Sequence, residues 1–327
     1  GIEDLREAIA KDERSKGWEC ESDDVYVTHG VTEALQILFA AFLEQGDIVL
    51  APGPHYPPYM AYPQMYGAKT VEYALDSDEG WAIDADDIRR KMNDSVKFIV
   101  VVNPNNPTGN VAKPSTIKEV LSIAKDWPNC TVIADEIYDA LDFSGDQRSV
   151  ASLSDDVPVV TLNGVSKVHF APGWRIGYMA FYDPRGILGA PRDGVERILR
   201  SRLCASTPAQ YGYLAGLKHD RLWLKERLNT IERRVDLCMN RIDGIEGLSC
   251  NKPGGAFYLF PKIENPSKYG PDKKFVLDLL HEEHVLVVHG SGFSPQYGSG
   301  HFRLVALAPE DLLNEAFDRI DRFVRSR

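Results

Sequence analysis

Short apolar runs alternate with segments of helical length over the first two thirds of the chain. Several runs are almost continuously hydrophobic, which is typical of strands covered on both faces. The segments between them, such as 32–44 and 115–126, have the length of helices. This alternation predicts a doubly wound, mainly parallel α/β sheet of seven strands. The predicted strands are DVYVTHG from Asp24, DIVLAPG from Asp47, KTVEYAL from Lys69, KFIVVVNP from Lys97, TVIADEIY from Thr131, VVTLNGVS from Val159 and RIGYMAFY from Arg175.

The pattern changes twice toward the C-terminus. The last two predicted strands are joined by a segment too short for a helical crossover, so we expect an antiparallel strand there. From about residue 221 a long charged helix leads to short strands and to helices near 272–284 and 309–327. We therefore predict a large domain over residues 1–220 and a smaller C-terminal α+β domain over 221–327, with the long helix as connector.

Composition narrows the class of protein. The 327 residues are 43% hydrophobic and 26% charged, which are ordinary globular values. The formal net charge of −11 argues against a nucleic-acid-binding surface, because phosphate binding needs concentrated positive charge. No apolar run reaches the roughly 20 residues of a membrane-spanning helix. We expect neither nucleic acid nor a membrane as a partner.

Cysteine and histidine spacing gives no metal site. The five cysteines lie far apart without a CxxC pair, which disfavours zinc and a disulfide framework and favours a reducing cytoplasm. His281 and His284 resemble metal spacing, but two histidines on a charged helix are more typical of a solvated face. His169, His289 and His301 are expected to border the binding pocket without a required role.

Ligands of parallel sheets bind beyond the carboxyl ends of the strands, where this chain carries two polar loops. After the first strand, Gly30 permits a tight turn, and the amides of Val31 and Thr32 begin a helix that can hold a phosphate. An ordinary helix start is the alternative. After the fourth strand comes NPNNPTGN, residues 103–110, which we expect to point side-chain amides into the crevice rather than form a plain turn.

A lysine at the end of a buried strand is costly unless something neutralises it or reacts with it. In a desolvated pocket Lys167 would lose its proton more easily and could form a Schiff base with the aldehyde of pyridoxal phosphate. Arg175 and Ser166 could bind the phosphate of that cofactor, and Asp135 could keep its pyridine nitrogen protonated. Glu136 is expected to point to the opposite face of the strand.

Five motifs occur in one order along the chain: NPNNPTG, ADEIYDA, SKVHFAPGWRIGY, GGAFYLF and HFRLVAL. Together they resemble the class I aminotransferases, pyridoxal-phosphate enzymes of fold type I, over nearly the whole chain. Two longer segments look especially like the archaeal alanine-aminotransferase-like branch of this family. They are GVTEALQILFAAFLEQGDIVLAPGPHYPPY and HVLVVHGSGF. The resemblance implies pyridoxal 5'-phosphate as cofactor, a homodimer, and ping-pong transfer of an amino group from an L-amino acid to a 2-oxo acid such as 2-oxoglutarate. It leaves the amino donor open, with alanine as one candidate.

The resemblance also implies residue roles at the reacting atoms. Lys167 matches the Schiff-base lysine, which carries the proton between the substrate Cα and the cofactor. Asp135 matches the partner of the pyridine nitrogen. Asn106 and Tyr138 match the groups that hydrogen-bond the phenolic oxygen of the ring. Arg303 matches the arginine that binds the substrate α-carboxylate in a bidentate pair, although a structural carboxylate partner is the alternative.

The remaining implied roles concern the body of the cofactor. Tyr56 matches the aromatic residue that stacks on the pyridine ring. The phosphate site is implied to consist of the Val31 and Thr32 amides with Ser166 and Arg175.

This chain departs from the family pattern in two ways. Gly164 stands where many relatives carry a serine, which puts one phosphate hydrogen bond in doubt. Full-length relatives also have an N-terminal arm before the segment that matches residues 1–10. That arm covers the substrate and supplies a tyrosine to the neighbouring subunit, and we expect it to be missing here.

Three rival functions follow from the same residues. A pyridoxal-phosphate-dependent C–S lyase would share Lys167 and would release ammonia and pyruvate. A catalytically impaired fragment would bind the cofactor without turnover. A dinucleotide dehydrogenase is disfavoured, because no GxGxxG motif follows the first strand.

Overall fold

The fold is described from a computed structural model, which covers residues 1–146, 148–220 and 222–327. All seven predicted strands are present, and they belong to one sheet. The strands of this sheet are β1 (Val25–Thr28), β2 (Ile48–Gly53), β3 (Lys69–Asp76), β4 (Ala82–Ile83), β5 (Val96–Val102), β6 (Thr131–Asp135), β7 (Val159–Gly164) and β8 (Gly177–Tyr182).

The sheet has the strand order β1-β8-β7-β6-β5-β2-β3-β4, so the predicted number of seven strands was one too low. The additional strand, β4, has two residues and pairs antiparallel with the end of β3. Two residues carry no hydrophobic period, so the sequence pattern could not reveal it. The predicted antiparallel strand is confirmed, because β8 runs antiparallel to both β7 and β1. The pairs from β7 through β6, β5 and β2 to β3 are parallel.

Both faces of the sheet are buried. In β5, Ile99 and Val101 belong to the core on the side of α1 (Glu3–Ser15) and α5 (Pro114–Lys125). Phe98 and Val100 belong to the core on the side of α2 (Gly30–Phe42) and α6 (Gly189–Arg202). All four side chains are fully buried, which explains the uninterrupted apolar run of this strand.

The helices are α1 (Glu3–Ser15), α2 (Gly30–Phe42), α3 (Pro58–Gln64), α4 (Ala85–Lys91), α5 (Pro114–Lys125), α6 (Gly189–Arg202), α7 (Thr207–Lys218), α8 (Leu222–Asp243), α9 (Pro266–Tyr269), α10 (Asp272–Glu283) and α11 (Glu310–Arg325).

The C-terminal part contains short strands and a core of its own. The predicted long helix is α8, and Arg221, at which we predicted its start, lies outside the described residues. A three-stranded antiparallel sheet has the order β10 (Tyr258–Leu259), β13 (Phe302–Val305) and β12 (Val288–His289). A separate pair consists of β11 (Lys262–Ile263) and β9 (Leu248–Ser249). The division into domains at residue 220 stays a prediction. These strands are β9 (Leu248–Ser249), β10 (Tyr258–Leu259), β11 (Lys262–Ile263), β12 (Val288–His289) and β13 (Phe302–Val305).

The core of this C-terminal part also takes in side chains from the loops that follow β6 and β7. Tyr138 and Leu141 come from the first loop and Val168 from the second. The two parts of the chain therefore pack together next to the carboxyl ends of the parallel strands. None of the helices that the structure describes is both long enough and apolar enough to cross a membrane.

Candidate active site

A cavity of about 250 Å³ opens at the carboxyl ends of the parallel strands. All ten residues to which the resemblance assigns a role line it, and their individual roles stay predictions. Four further residues that we did not predict also line it. The ten are Val31, Thr32, Tyr56, Asn106, Asp135, Tyr138, Ser166, Lys167, Arg175 and Arg303, and the four are Val102, Ile137, Pro172 and Tyr258.

Lys167 lies three residues beyond the end of β7. Burial lowers the pKa of its amine, and the nearby positive charges of Arg303 and Arg175 lower it further, while Asp135 acts in the opposite direction. Its Nζ lies 5.7 Å from the centre of the Tyr138 ring. A neutral amine is the nucleophilic form, so this environment favours attack on an aldehyde carbon.

Asp135 is the last residue of β6 and is 4% exposed. Burial raises the pKa of its carboxyl to about 6, although the hydroxyl of Tyr59, the backbone N–H of Ile137 and the charge of Lys167 lower it. Tyr59 donates to Oδ2 over 2.6 Å. Because water does not stabilise a buried carboxylate, a cationic partner stabilises the ionised form of Asp135 more than it would stabilise an exposed aspartate. Sequence reasoning missed Tyr59, because it lies on α3, far from Asp135 in the chain.

Glu136 points away from this cavity, as predicted for the next residue of a strand. Its Oε1 accepts hydrogen bonds from the hydroxyl of Ser149 over 3.0 Å and from the backbone N–H of Val150 over 2.7 Å. Burial and the nearby carboxylate of Glu13 raise the pKa of its carboxyl to about 8. The adjacent acids Asp135 and Glu136 therefore do not form an acid–base pair.

The N-terminus of α2 faces the side chain of Arg175. One guanidinium nitrogen of Arg175 donates to the backbone oxygen of Pro172 over 2.9 Å, and the other donates to that of His29 over 3.3 Å. Gly30 has a φ of +78°, and a Cβ there would lie 2.6 Å from the guanidinium. Only glycine combines this backbone conformation with so close an approach. The result is a cationic group beside free helix amides, a suitable site for a phosphate.

Gly164 has a packing reason to be glycine. A Cβ at this position would lie 2.6 Å from both the Cα of Gly177 and the backbone oxygen of Ile176. These are backbone atoms at the start of the neighbouring strand β8 and just before it, and backbone cannot give way as a flexible side chain can. The close approach of β7 and β8 therefore leaves no room for the serine of many relatives.

Asn106 and Arg303 meet across the cavity. Arg303 donates to Oδ1 of Asn106 over 2.8 Å, and its guanidinium lies 4.7 Å from the ring centres of both Tyr258 and Phe293. Its Nε is buried without a hydrogen-bond partner. In the part of the chain that the structure describes, Arg303 forms no ion pair, so no carboxylate there takes the place of the structural partner that was the alternative.

The other asparagines of residues 103–110 do not point into the cavity, which corrects our expectation for this loop. Asn103 accepts from the backbone N–H of Ala112 over 2.9 Å, and Asn105 accepts from the backbone N–H of Thr108 over 3.3 Å and from its hydroxyl over 2.9 Å. The two bonds from backbone N–H groups satisfy donors of a loop that has no strand partner. Asn106 alone of the asparagines in the loop lines the cavity.

Tyr258 is a cavity residue for which the sequence suggested no role. Its hydroxyl and that of Tyr138 are hydrogen-bonded over 2.8 Å, and both side chains are buried. The two residues are 120 positions apart. The GGAFYLF motif marked this strand, but only the packing of β10 against the loop after β6 brings the hydroxyls together.

The expected histidines do not border the cavity. The ring of His301 stacks on Phe260 with the centres 5.1 Å apart, and His169 packs edge-on against Tyr213 over 5.3 Å. His289 contacts Ser291 over 2.9 Å. Among residues 1–146, 148–220 and 222–327, no three His, Cys, Asp or Glu side chains are grouped as metal ligands.

Known proteins match the chain over almost its full length. Residues 1–320 match the family model described as aminotransferase class I and II. The chain is 37% identical over 330 residues to the glutamate-pyruvate aminotransferase AlaA of Haemophilus influenzae, a match that covers 99% of this chain and 81% of that protein.

Solved structures agree with this assignment. The alanine aminotransferase from Pyrococcus furiosus is 49% identical and superposes with a TM-score of 0.97 over 100% of this chain and 83% of its own. A double mutant of the Thermus thermophilus aspartate aminotransferase is 29% identical, with a TM-score of 0.90 over 99% of this chain and 82% of its own. These proteins share the fold type I architecture, so the predicted fold class and family resemblance are confirmed. The chain belongs to the class I and II aminotransferases and is an enzyme of amino-group transfer between an amino acid and a 2-oxo acid.

Proposed function

We propose that the cavity binds pyridoxal 5'-phosphate through Lys167 and that the substrate pair is L-alanine with 2-oxoglutarate. The names of the Haemophilus influenzae and Pyrococcus furiosus relatives support this substrate pair, since one is a glutamate-pyruvate and the other an alanine aminotransferase. The charges of the residues that line the cavity complement those of the cofactor. A buried carboxylate, an amine of lowered pKa and a cationic helix N-terminus suit its ring nitrogen, its aldehyde and its phosphate.

The observation that carries the proposal is the guanidinium of Arg303. It lies on the cavity wall without an ion-pair partner among the described residues, and its Nε is buried and free of hydrogen bonds. The guanidinium contacts an amide oxygen and two aromatic rings but, in the described part of the chain, no counter-charge, and a carboxylate that binds it in a bidentate pair supplies that charge. The α-carboxylate common to amino acids and 2-oxo acids is such a group.

Pyridoxal phosphate, when bound, supplies a ring that withdraws electrons from the substrate Cα. Lys167 then acts as the base that removes the Cα proton, because its lowered pKa favours the neutral amine. Asp135 holds a proton on the ring nitrogen through its buried carboxylate. Tyr138 and Asn106 are proposed to donate to the phenolic oxygen, and Tyr56 to cover the ring face.

The phosphate is proposed to lie at the N-terminus of α2. The amides of Val31 and Thr32 donate from the first helical turn, Arg175 supplies the positive charge, and Ser166 adds a hydroxyl. The closeness of Arg175 to Gly30 supports this arrangement, because a side chain at residue 30 would fill the space between helix and guanidinium.

Reduction with borohydride tests the proposal. The cofactor should become attached at Lys167, found by peptide mapping, and Lys167→Ala should remove the label. Lys252, an exposed lysine paired with Asp236, gives a matched control, since Lys252→Ala should be labelled as the unchanged protein is. Attachment at another lysine would refute the assignment. A product assay should detect pyruvate and glutamate from alanine and 2-oxoglutarate, whereas release of ammonia would indicate the lyase.

We also propose that the enzyme is a homodimer in the cytoplasm. All five cysteines are free thiols, which supports a reducing compartment. A group of exposed apolar side chains next to Arg175 supports an interface. It includes Phe170 and Trp174 on the loop before Arg175, and Tyr211 on α7, where Trp174 packs against Gly212.

A further inference from the structure

A buried contact between a histidine and a glutamate, His55 and Glu72, lies beside the cavity. His55 lies directly before Tyr56, in the loop between β2 and α3, and is 2% exposed. Its Nδ1 is 3.0 Å from the backbone oxygen of Tyr56. A carbonyl oxygen only accepts hydrogen bonds, so Nδ1 carries a proton. The other ring nitrogen, Nε2, lies 3.3 Å from Oε1 of Glu72 on β3.

These two facing atoms have no other partner. Nε2 of His55 and Oε1 of Glu72 are both buried, and neither forms a hydrogen bond within the described residues. If neither atom were paired, the desolvation of each would cost free energy. One proton placed between them satisfies the hydrogen-bonding capacity of both atoms. A proton shared between Nε2 and Oε1 therefore links His55 to Glu72.

The pair is connected to two aromatic residues of the cavity region. The Nδ1 bond holds the backbone of Tyr56, which lines the cavity. The His55 ring also packs edge-on against Tyr59, with the ring centres 6.5 Å apart, and Tyr59 in turn packs edge-on against Tyr56 over 6.4 Å. Tyr59 donates to Asp135. A shift of His55 would therefore disturb both tyrosines together.

We propose that the His55–Glu72 pair positions Tyr56 and Tyr59 against the cofactor cavity. Glu72 is part of β3, and His55 follows the parallel neighbour β2, so the pair ties the aromatic loop to the sheet. Neither residue lines the cavity, and both act through the tyrosines. The proposal rests on the proposed function only for the identity of the cofactor.

Nitrogen NMR on the unchanged protein, with and without pyridoxal phosphate, tests the pair directly. The Nε2 signal of His55 should have the chemical shift of a hydrogen-bonded ring nitrogen in the folded protein. An Nε2 signal typical of a ring nitrogen without a hydrogen bond overturns the proposal. This measurement needs no variant and does not depend on catalysis.

Variants test the positioning role. Glu72→Gln and His55→Gln each break the pair and should weaken pyridoxal phosphate binding by about tenfold, the scale of coupling between contacting residues. Each should also change the absorption spectrum of the bound cofactor, because the ring over it has moved. Combining His55→Glu with Glu72→His restores an acid and a base at the same two positions, and this exchange should recover affinity to within about threefold of the unchanged protein.

A matched control breaks an exposed pair of the same kind. His219 lies 3.5 Å from Asp220, with both side chains more than half exposed, and His219→Gln should change neither affinity nor spectrum. Folded single variants with unchanged affinity, or an exchange as weak as the singles, overturn the proposal. If the single variants do not fold, the NMR result decides whether His55 and Glu72 are paired. If even the unchanged protein does not bind pyridoxal phosphate, the proposed function fails, and the NMR result still decides whether the two residues are paired.

Discussion

The hydroxyl of Tyr59 donates a 2.6 Å hydrogen bond to Oδ2 of Asp135, where β6 ends at the cavity. The bond favours the ionised carboxylate, but burial opposes it more strongly, and the pKa of Asp135 is raised to about 6. Tyr59 itself is fully buried, and burial, together with the Asp135 charge, raises the pKa of its hydroxyl. The hydroxyl therefore remains the donor, and Asp135 remains an acceptor that needs a further cationic partner.

Tyr59→Phe should raise the pKa of Asp135 further, because it removes the donor that stabilises the ionised form. A hydrogen bond to a charged group is worth about 1.5–3 kcal/mol, which corresponds to about one to two pKa units. Carbon NMR titration of the Asp135 carboxyl in the cofactor-free protein measures this. Tyr73→Phe is the control, since Tyr73 is equally buried but donates to the backbone oxygen of Val100. An unchanged Asp135 pKa in Tyr59→Phe would contradict the assignment.

Asp135→Asn should stabilise the cofactor-free protein in a pH-dependent way. Folding raises the pKa of Asp135 from 3.8 to about 6, so ionisation is penalised in the folded state. The penalty appears as the pH rises above about 4 and is complete above about 6, where it amounts to about 3 kcal/mol. Urea unfolding at pH 4 and pH 8 should show a stabilising effect only at pH 8.

The same variant should retain the cofactor and lose turnover by several orders of magnitude, because the ring nitrogen loses its charged partner. An Asp135→Asn protein with equal stabilisation at both pH values would show that burial of this charge is misjudged. Near-normal turnover would show that Asp135 has another role.

Arg303→Lys should lower kcat/KM for amino acids by about 1.5–3 kcal/mol, or about 10- to 150-fold, since lysine cannot form the planar bidentate pair. Folding and cofactor affinity should change little. Amines without a carboxylate should be affected far less, because they do not use the contact. Arg319→Lys, at a partly exposed arginine paired with Glu315, is the control. Unchanged amino-acid kinetics in Arg303→Lys would return Arg303 to a structural role.

Gly164→Ser should destabilise the protein, because the added Cβ meets backbone atoms of β8 at 2.6 Å. Overpacking of this kind costs about 1–3 kcal/mol, measured as a lower urea midpoint. Gly189→Ser is the matched control, since a Cβ at Gly189 meets nothing within 4 Å. A stable Gly164→Ser protein with tighter phosphate binding would show that β7 and β8 can separate to accept the serine of relatives.

Sedimentation velocity should find a dimer. Trp174→Glu should shift it toward monomer, because a charge replaces a ring that is 51% exposed within the proposed interface. Leu312→Glu, at a residue of α11 that is 52% exposed outside that group, should leave the dimer intact. A stable, active monomer of the unchanged protein would contradict the proposal.

The positions of the seven strands and the family were accessible from the sequence, because apolar runs and motifs are features of short stretches of chain. The buried runs of β5 and β6 are uninterrupted since both sheet faces are covered, and the lysine-to-arginine motif spans only nine residues, Lys167 to Arg175. The histidines near the site were misjudged because local sequence does not reveal packing partners. His301 stacks on Phe260, a residue 41 positions away, instead of facing the cavity.

Apolar periodicity, which acts over short stretches of chain, determined where the seven predicted strands and the long helix α8 form. The family resemblance carried by the motifs then gave the ten residues that meet at the cavity. Only the tertiary structure decided how these residues are paired. Tyr59 and Asp135 are 76 positions apart, and Tyr138 and Tyr258 are 120 apart. The raised pKa of Asp135 and the unpaired guanidinium of Arg303 depend on burial and distances of a few ångströms between such segments, which exist only once the chain has folded.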